Sequence, residues 1–409
     1  MKIGQILDKG KKNSFVRKVI FCKKCVESNQ RFMSSVQHKD QEGTQKKYAS
    51  FDEHGVCLAC RYFEKKKNFN WKEKEKNLEE ILDKHRKTNG DYDVVVPGSG
   101  GKDSIYTSII LKEKYNMHPL TCTWAPGIYT DVGWKNYNSW INYGFDNYLL
   151  TPNKKVHRLL TKLSFLNLLH PFQPFALGQN SLPLKTALEK NIKLIVYGDS
   201  IKEKAIGSEG ESKSHSKPEV WHYANSDDEI YLGGVNIKEI EQKYKIDRHE
   251  INCFLPAKKE LIDNSNLEVL HLPDFINYNP QNNFYFAKQK TGFEVNPDGR
   301  TEGTYTKYQS LDDKLDGLHY YAWFIKTGRG RTTEDAALEV RNEIITREEA
   351  IMLVKKFDGE FPKKYFKDCL EYMGISENEF WETIEKFRPN NIWEKKGNDW
   401  VLKNPIWKK

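Results

Sequence analysis

Residues 91–115 read DYDVVVPGSGGKDSIYTSIILKEKY, and the fold is decided in this stretch. Tyr92–Val96 is short, β-branched and mostly apolar, the pattern of a strand buried on both faces. Pro97–Gly101 breaks it, and Lys102–Tyr115 is predicted to be a helix. A strand that turns through glycines straight into a helix makes an anion site. The glycines let several backbone N–H groups converge, and the helix offers the positive end of its dipole to the same point. Ser99 and Ser104 add hydroxyl donors and Lys102 a point charge, while Asp103 either braces the loop or helps to place Mg²⁺. The spacing is not the Gly-x4-Gly-Lys-Ser/Thr of a Walker A loop. A polyphosphate is the ligand that suits Ser99, Gly100, Gly101, Lys102, Asp103 and Ser104 together.

Outward from this loop the chain alternates. Downstream come a strand at His118–Trp124, a helix at 134–144, a short strand at Tyr148–Leu150 and a helix from Lys154 to about Leu169. A helix at 180–190 and a strand at Ile192–Tyr197 follow, the strand running into Gly198, Asp199 and Ser200. Alternating strands and helices predict a parallel sheet with helices on both faces. Asp199, at the carboxyl end of a strand, falls where open α/β sheets collect ligands, so it contacts Mg²⁺ or substrate, or simply caps the next segment. Upstream, 63–88 is predicted to be one helix with Trp71, Leu78, Ile81 and Leu82 as its apolar stripe, stopped by Asn89 and Gly90. Ile201–Gly234 is too long for an ordinary connection and is either a substrate-covering loop or a surface insertion. From about residue 236 helices dominate, one of them opened by a capping box at Thr346 and Glu349. Trp381, Trp393, Trp400 and Trp407 are expected to pack a core.

A chain of 409 residues is long enough for two or three domains and a sizeable core. With 38% hydrophobic, 30% charged and 13% aromatic residues it reads as a water-soluble globular protein. No apolar run approaches the ~18 residues of a membrane span, and the opening residues lack the apolar core of a secretion signal, so the cytoplasm is the expected compartment. The net charge of +8 gathers in residues 1–90. That basic excess suits either nucleic acid or, as the preferred reading, a solvated Lys/Glu helix. Four of the seven cysteines form two Cys-x2-Cys pairs, Cys22/Cys25 and Cys57/Cys60. Without a secretion signal such pairs favour metal over disulfides, and four thiolates with no open position make a structural zinc site, with an iron–sulfur cluster or a redox pair as alternatives. The 31 residues between the pairs exceed the ~15–20 of a compact zinc ribbon, so the module carries an insertion. The arginines of GRGRTTED (328–335), Arg329 and Arg331, precede a predicted helix and are either a second anion site or an ordinary basic turn.

The hexapeptide Ser99–Ser104 resembles the signature of the PP-loop ATP pyrophosphatase superfamily. Members split ATP between the α- and β-phosphates and transfer AMP to a carbonyl-type oxygen. The resemblance implies a Rossmann-like parallel α/β sheet, with adenine near Thr123, Trp124 and Ala125. The wider set is FCKKCV (21–26), FDEHGVCLAC (51–60), VPGSGGKDS (96–104), YGDS (197–200), GRGRTTED (328–335) and ITREEA (345–350). Together these resemble the N-acetyl sugar amidotransferase family of pseudaminic-acid and lipopolysaccharide acetamidino-sugar synthesis, over nearly the whole chain. Asp199 departs from that pattern, where relatives usually carry Glu. The resemblance implies an N-terminal zinc module with a linker helix (1–88), a PP-loop domain (89–272) and a mainly helical C-terminal substrate or partner region (273–409). It further implies ATP, Mg²⁺ and Zn²⁺ as cofactors, with Lys102, Asp103 and Asp199 catalytic. ATP would be held by Ser99–Ser104 with Thr123 and Trp124, and an acetamido sugar by Arg329 and Arg331. Ammonia would come from a separate glutaminase and its synthase-like partner, with no role for membrane or nucleic acid.

Overall fold

The computed structural model describes residues 19–30, 49–199, 215–216 and 226–408, so most of the long segment 201–234 lies outside the described residues. In chain order the elements begin with α1 (Leu58–Lys67), α2 (Trp71–His85), β1 (Val94–Pro97), α3 (Lys102–Glu113), β2 (Pro119–Trp124) and α4 (Asp131–Asn142). There follow β3 (Asn147–Leu150), α5 (Lys154–Leu168), α6 (Gln173–Glu189), β4 (Leu194–Tyr197) and the short strands β5 (His215–Ser216), β6 (Tyr231–Leu232) and β7 (Val235–Asn236). The remainder is α7 (Ile237–Tyr244), α8 (Arg248–Ile251), α9 (Lys259–Asp263), β8 (Glu268–His271), α10 (Pro280–Thr291), α11 (Asp316–Thr327), α12 (Arg331–Arg341), α13 (Arg347–Phe357), α14 (Phe366–Met373), α15 (Glu377–Phe387), β9 (Trp393–Lys396) and β10 (Asp399–Leu402).

Five strands form a parallel sheet in the order β3-β2-β1-β4-β8, with β5 antiparallel on the edge of β8. Because side chains alternate along a strand, the valines of β1 feed two cores. Val95 packs with Leu120, Cys122 and Leu184 on one face, whereas Val94 and Val96 meet Leu78, Leu82 and Leu111 on the other. Burial on both faces is what the run of valines predicts. The chain reverses its direction of winding beside β1, between β2 and β4, and at such a switch point the carboxyl ends of neighbouring strands open a crevice.

Three sequence expectations need correction. The single helix over 63–88 is two, because the chain breaks at Asn68–Asn70 and the Asn70 side chain accepts from the Glu73 amide to cap α2. That cap satisfies an amide the new helix start would otherwise leave unpaired. The helix expected at 180–190 starts at Gln173 and runs through Pro183, so burial against β1 and β2 overrides the local cost of proline. The C-terminal half is largely helical, as expected, but also supplies β8, the fifth parallel strand. At four residues β8 carries too little periodicity to stand out. The capping box at Thr346 and Glu349 is formed in both directions. Trp393 is buried and Trp400 packs beside it, and Trp407 packs against the four-cysteine core, but Trp381 is 37% exposed.

Among the described residues, the four-cysteine segment shares its core with the C-terminal helices. Cys22, Cys25, Cys57 and Cys60 share one apolar cluster with Ala336 and Ala337 of α12 and Ala350 and Val354 of α13. A second C-terminal core joins α11, α14 and α15 to Phe165 of α5.

Candidate active site

The loop after β1 is shaped by close backbone approach. Gly100 has φ +84°, and a Cβ there would stand 2.6 Å from Tyr137 Cα and 2.8 Å from its amide nitrogen. Gly101 caps α3 without any side-chain hydrogen bond to the helix, so the first amides of α3 are left for an anion. Ser104 Oγ donates to Gly101 O at 2.9 Å. Lys102 is buried, donates to Asp103 Oδ2 at 2.6 Å and lies 5.5 Å from the centre of the Tyr308 ring. The other Asp103 oxygen accepts from Tyr278 Oη and Asn283 Nδ2, each at 3.1 Å. Asp103 is thereby fixed from three directions. At Gly198 a Cβ would lie 2.6 Å from Asp103 O, and this approach sets the end of β4 against the first turn of α3.

A cavity of about 460 Å³ opens at the carboxyl ends of β1, β2, β4 and β8. Residues Pro97–Ser104 line it, as do Trp124, Asp199 and His271. The wall facing the loop comes from the distant segment Tyr308–Asp312 with Asp316 and Arg331. That segment is stitched to the loop after β2. Thr130 N donates to Asp312 O at 3.1 Å and Lys314 N to Ile128 O at 2.9 Å. The buried Asp313 carboxylate accepts from Gly127 N at 2.7 Å and Leu315 N at 2.9 Å, and burial pushes its carboxyl up to about 7. Burial likewise pushes Asp316 up to about 6, with Arg331 opposing the shift. His271 Nδ1 donates to the Asp199 carbonyl at 2.8 Å and its ring stacks on Tyr197 at 5.4 Å.

The cavity therefore gathers Ser99, Gly100, Gly101, Lys102, Asp103, Ser104, Trp124, Asp199 and Arg331. Two residues singled out in the sequence lie elsewhere. Thr123 alternates to the opposite side of β2 from Trp124, and its hydroxyl accepts from Asn147 Nδ2 at 3.0 Å. Arg329 is buried against Glu27, with Nε 2.9 Å from Oε2, and does not line the cavity. Trp124 is 3% exposed, its indole N–H has no hydrogen-bond partner among the described residues, and its ring lies against Gly178, where a Cβ would come within 2.0 Å. Sequence reading missed Tyr278, Asn283, Tyr308, Asp312 and Asp316. They lie far along the chain from the loop and carry no local motif.

The second centre is the cysteine cluster. All four Sγ atoms lie within 4.8 Å of one another, with Cys22–Cys60 at 3.8 Å and Cys25–Cys57 at 3.7 Å. Four thiolates about 2.3 Å from one tetrahedral ion are ~3.8 Å apart, so the donor set fits a single metal ion. A four-iron cluster interposes its own irons and sulfides and spreads its thiolates more widely, and a disulfide needs about 2.05 Å. Backbone amides of Lys24, Cys25 and Cys57 point at Cys22 Sγ, at 3.4, 3.5 and 3.3 Å. Arg341 Nη2 is 3.8 Å from Cys25 Sγ, a cation set against thiolate charge. The cluster is a buried four-thiol site whose geometry suits one metal ion.

The chain thus combines a parallel α/β sheet carrying a glycine loop at its switch point, a four-cysteine cluster and a mainly helical C-terminal region. Residues 302–406 match the family model described as LPS biosynthesis protein WbpG-like, C-terminal domain. A further match, 35% identical over 75 residues, is to the uncharacterized protein MJ1599 of Methanocaldococcus jannaschii. It covers 18% of this chain, and the chain spans about a quarter (27%) of that relative's length. Among solved structures, the U34-tRNA thiolase NcsA of Methanococcus maripaludis with its [4Fe-4S] cluster aligns over 80% of this chain and 90% of its own, at 10% identity and a TM-score of 0.30. No helix among the described residues is long and apolar enough to cross a membrane.

Proposed function

We propose that the protein is an ATP-dependent, AMP-forming amidotransferase that converts the acetamido group of a sugar to acetamidino in surface-glycan synthesis, in flagellin or lipopolysaccharide. The observation that carries this reading is the cavity itself. The phosphate loop forms one wall, and Tyr308–Asp312, Asp316 and Arg331 of the WbpG-like domain form the other. In the proposed reaction the amide oxygen attacks the α-phosphate, forming the O–P bond as pyrophosphate leaves. Ammonia then attacks the imidate carbon, AMP departs with the former amide oxygen, and the nitrogen loses its extra proton. An amide oxygen is a poor leaving group and adenylation makes it a good one. The loop amides of Gly101 to Ser104 and the Lys102 ammonium would take up charge growing on pyrophosphate. Asp103 and Asp199 are the carboxylates that would hold Mg²⁺ beside it, and Mg²⁺ would supply further charge neutralisation. Trp124 would flank the adenine and Arg331 the sugar.

In this reading the four cysteines hold zinc, because four thiolates leave no open position for chemistry. A glutaminase with a synthase-like partner in the cytoplasm would supply the ammonia. The test is pyrophosphate release from Mg-ATP and ammonium chloride with a panel of acetamido sugars and a bulk tRNA control. A sugar-dependent mass loss of about one unit, O replaced by NH, with AMP formed supports the reading. Stimulation by tRNA alone would instead assign a tRNA-modifying activity and remove the sugar.

A further inference from the structure

Two buried ties leave the four-cysteine centre and end at opposite walls of the cavity. The first begins in α1, which carries Cys60 near its start and Lys66 near its end. Lys66 is 5% exposed, and its ammonium, 5.0 Å from the Phe63 ring centre, donates to Tyr278 O at 3.1 Å. Tyr278 in turn donates through its hydroxyl to Asp103 Oδ1 at 3.1 Å. The second begins at Glu27, two residues past Cys25, whose carboxylate pairs with Arg329. Arg329 shares one turn with Arg331, and Asp358 pins that turn by accepting from Gly330 N and Thr333 N, each at 3.0 Å. Arg331 then lines the cavity.

We infer that these ties couple the metal centre to the nucleotide loop, with Lys66 and Tyr278 acting as positioning residues for Asp103. The physical reason lies in the packing. The cysteine segment shares its core with α12 and α13, so closing the four thiolates around one ion fixes both α1 and the Glu27 knuckle as rigid pieces. A metal centre with that role does more than hold a small module together, because its occupancy sets how well Asp103 is held. Asn283 also donates to Asp103, so losing the Tyr278 bond loosens the carboxylate without freeing it. By linkage, whatever the metal contributes to loop order, a ligand on the loop returns to the metal. The consequence for nucleotide binding rests on the proposed function, whereas the coupling itself does not.

The experiment is hydrogen–deuterium exchange on the full chain, read at peptides covering 98–105, in wild type, Tyr278→Phe and Lys66→Met. Both substitutions keep the apolar stem and remove one polar link. Loss of one such bond should raise exchange in the loop roughly two- to tenfold, with metal content and exchange in α15 unchanged. Stripping the metal from wild type with a chelator should produce the same rise, and stripping Tyr278→Phe should add little to it, since the two perturbations act on one path. Loop exchange that stays at the wild-type rate in both variants, or after metal removal, overturns the coupling. Calorimetry with Mg-ATP on the same samples separates the two claims. A wild type that binds no Mg-ATP defeats the functional reading, and the exchange rates still decide the coupling.

Discussion

Two adjacent glycines of the loop should respond to alanine in opposite ways. At Gly100 the backbone is left-handed, φ +84°, which costs an L-residue about 1–2 kcal/mol. The added Cβ would also stand 2.6 and 2.8 Å from Tyr137 backbone atoms and 3.0 Å from the Asn136 carbonyl carbon. Those atoms cannot swing away. Tyr137 donates to Asn147 at 3.0 Å, and Asn136 exchanges two hydrogen bonds with the Glu294 backbone. Overpacking of this kind costs about 1–3 kcal/mol, so Gly100→Ala should cost roughly 2–5 kcal/mol in total. The loop will move before α4 does, and the loss will appear in ligand affinity, at about tenfold for each 1.4 kcal/mol. At Gly101, φ is −75° and ψ 162°, and among the described residues a Cβ meets only Ser99 Oγ, at 3.8 Å. Gly101→Ala should therefore cost no more than about 1 kcal/mol, through weaker capping. Titration calorimetry with Mg-ATP should show at least a thirtyfold weaker Kd for Gly100→Ala and under about sixfold for Gly101→Ala, with both proteins folded. Equal losses in the two variants, or a Gly100→Ala protein that binds like wild type, would refute this account of the loop.

Three further outcomes are expected. Asp316 has its folded-state pKa raised from 3.8 to about 6 by burial, so its ionisation weakens the fold progressively as pH rises through that window. Asp316→Asn should accordingly gain about 3 kcal/mol relative to wild type between pH 4 and pH 8, measured by denaturant unfolding, and a pH-independent difference would contradict the assignment. Cys22→Ser should lose the bound metal and lower the melting temperature. Elemental analysis of wild type should give one zinc per chain, and four irons with sulfide would overturn the single-ion geometry. Arg329→Met should weaken the buried pairing of Glu27, which keeps Arg341 at 3.9 Å, and Arg331→Met that of Asp335, so both should lower stability, by up to about 3–5 kcal/mol, while only Arg331→Met should also raise KM for the sugar. Steady-state kinetics and unfolding of the two variants distinguish these roles, and identical behaviour would deny that they face different sites.

Local chemistry was enough for a large part of this. The valine run, the glycine turn and the helix behind it are adjacent in the chain, and their joint geometry follows from backbone sterics and the helix dipole. For the same reason the four-residue metal set was legible, as was the capping box at Thr346, where the partners are three residues apart. Boundaries that depend on a side-chain cap, such as the break before Asn70, were harder to see. What the chain order hides is which distant segments share a wall. Arg329 and Arg331 are two residues apart and indistinguishable by type, yet one is paired with Glu27 at the metal centre and the other lines the cavity. Nothing local marks Tyr278 and Asn283 as partners of a loop more than 170 positions away. β8 pairs in parallel with β4, where Glu268 lies beside Leu194 from far earlier in the chain. The amino-acid sequence by itself determined the glycine loop, its flanking strand and helix and the two cysteine pairs, because each is set by neighbours in the chain. Only the tertiary structure decided the second wall of the cavity and the attachment of the metal centre to it, because those depend on how separately formed elements bury their apolar faces against one another.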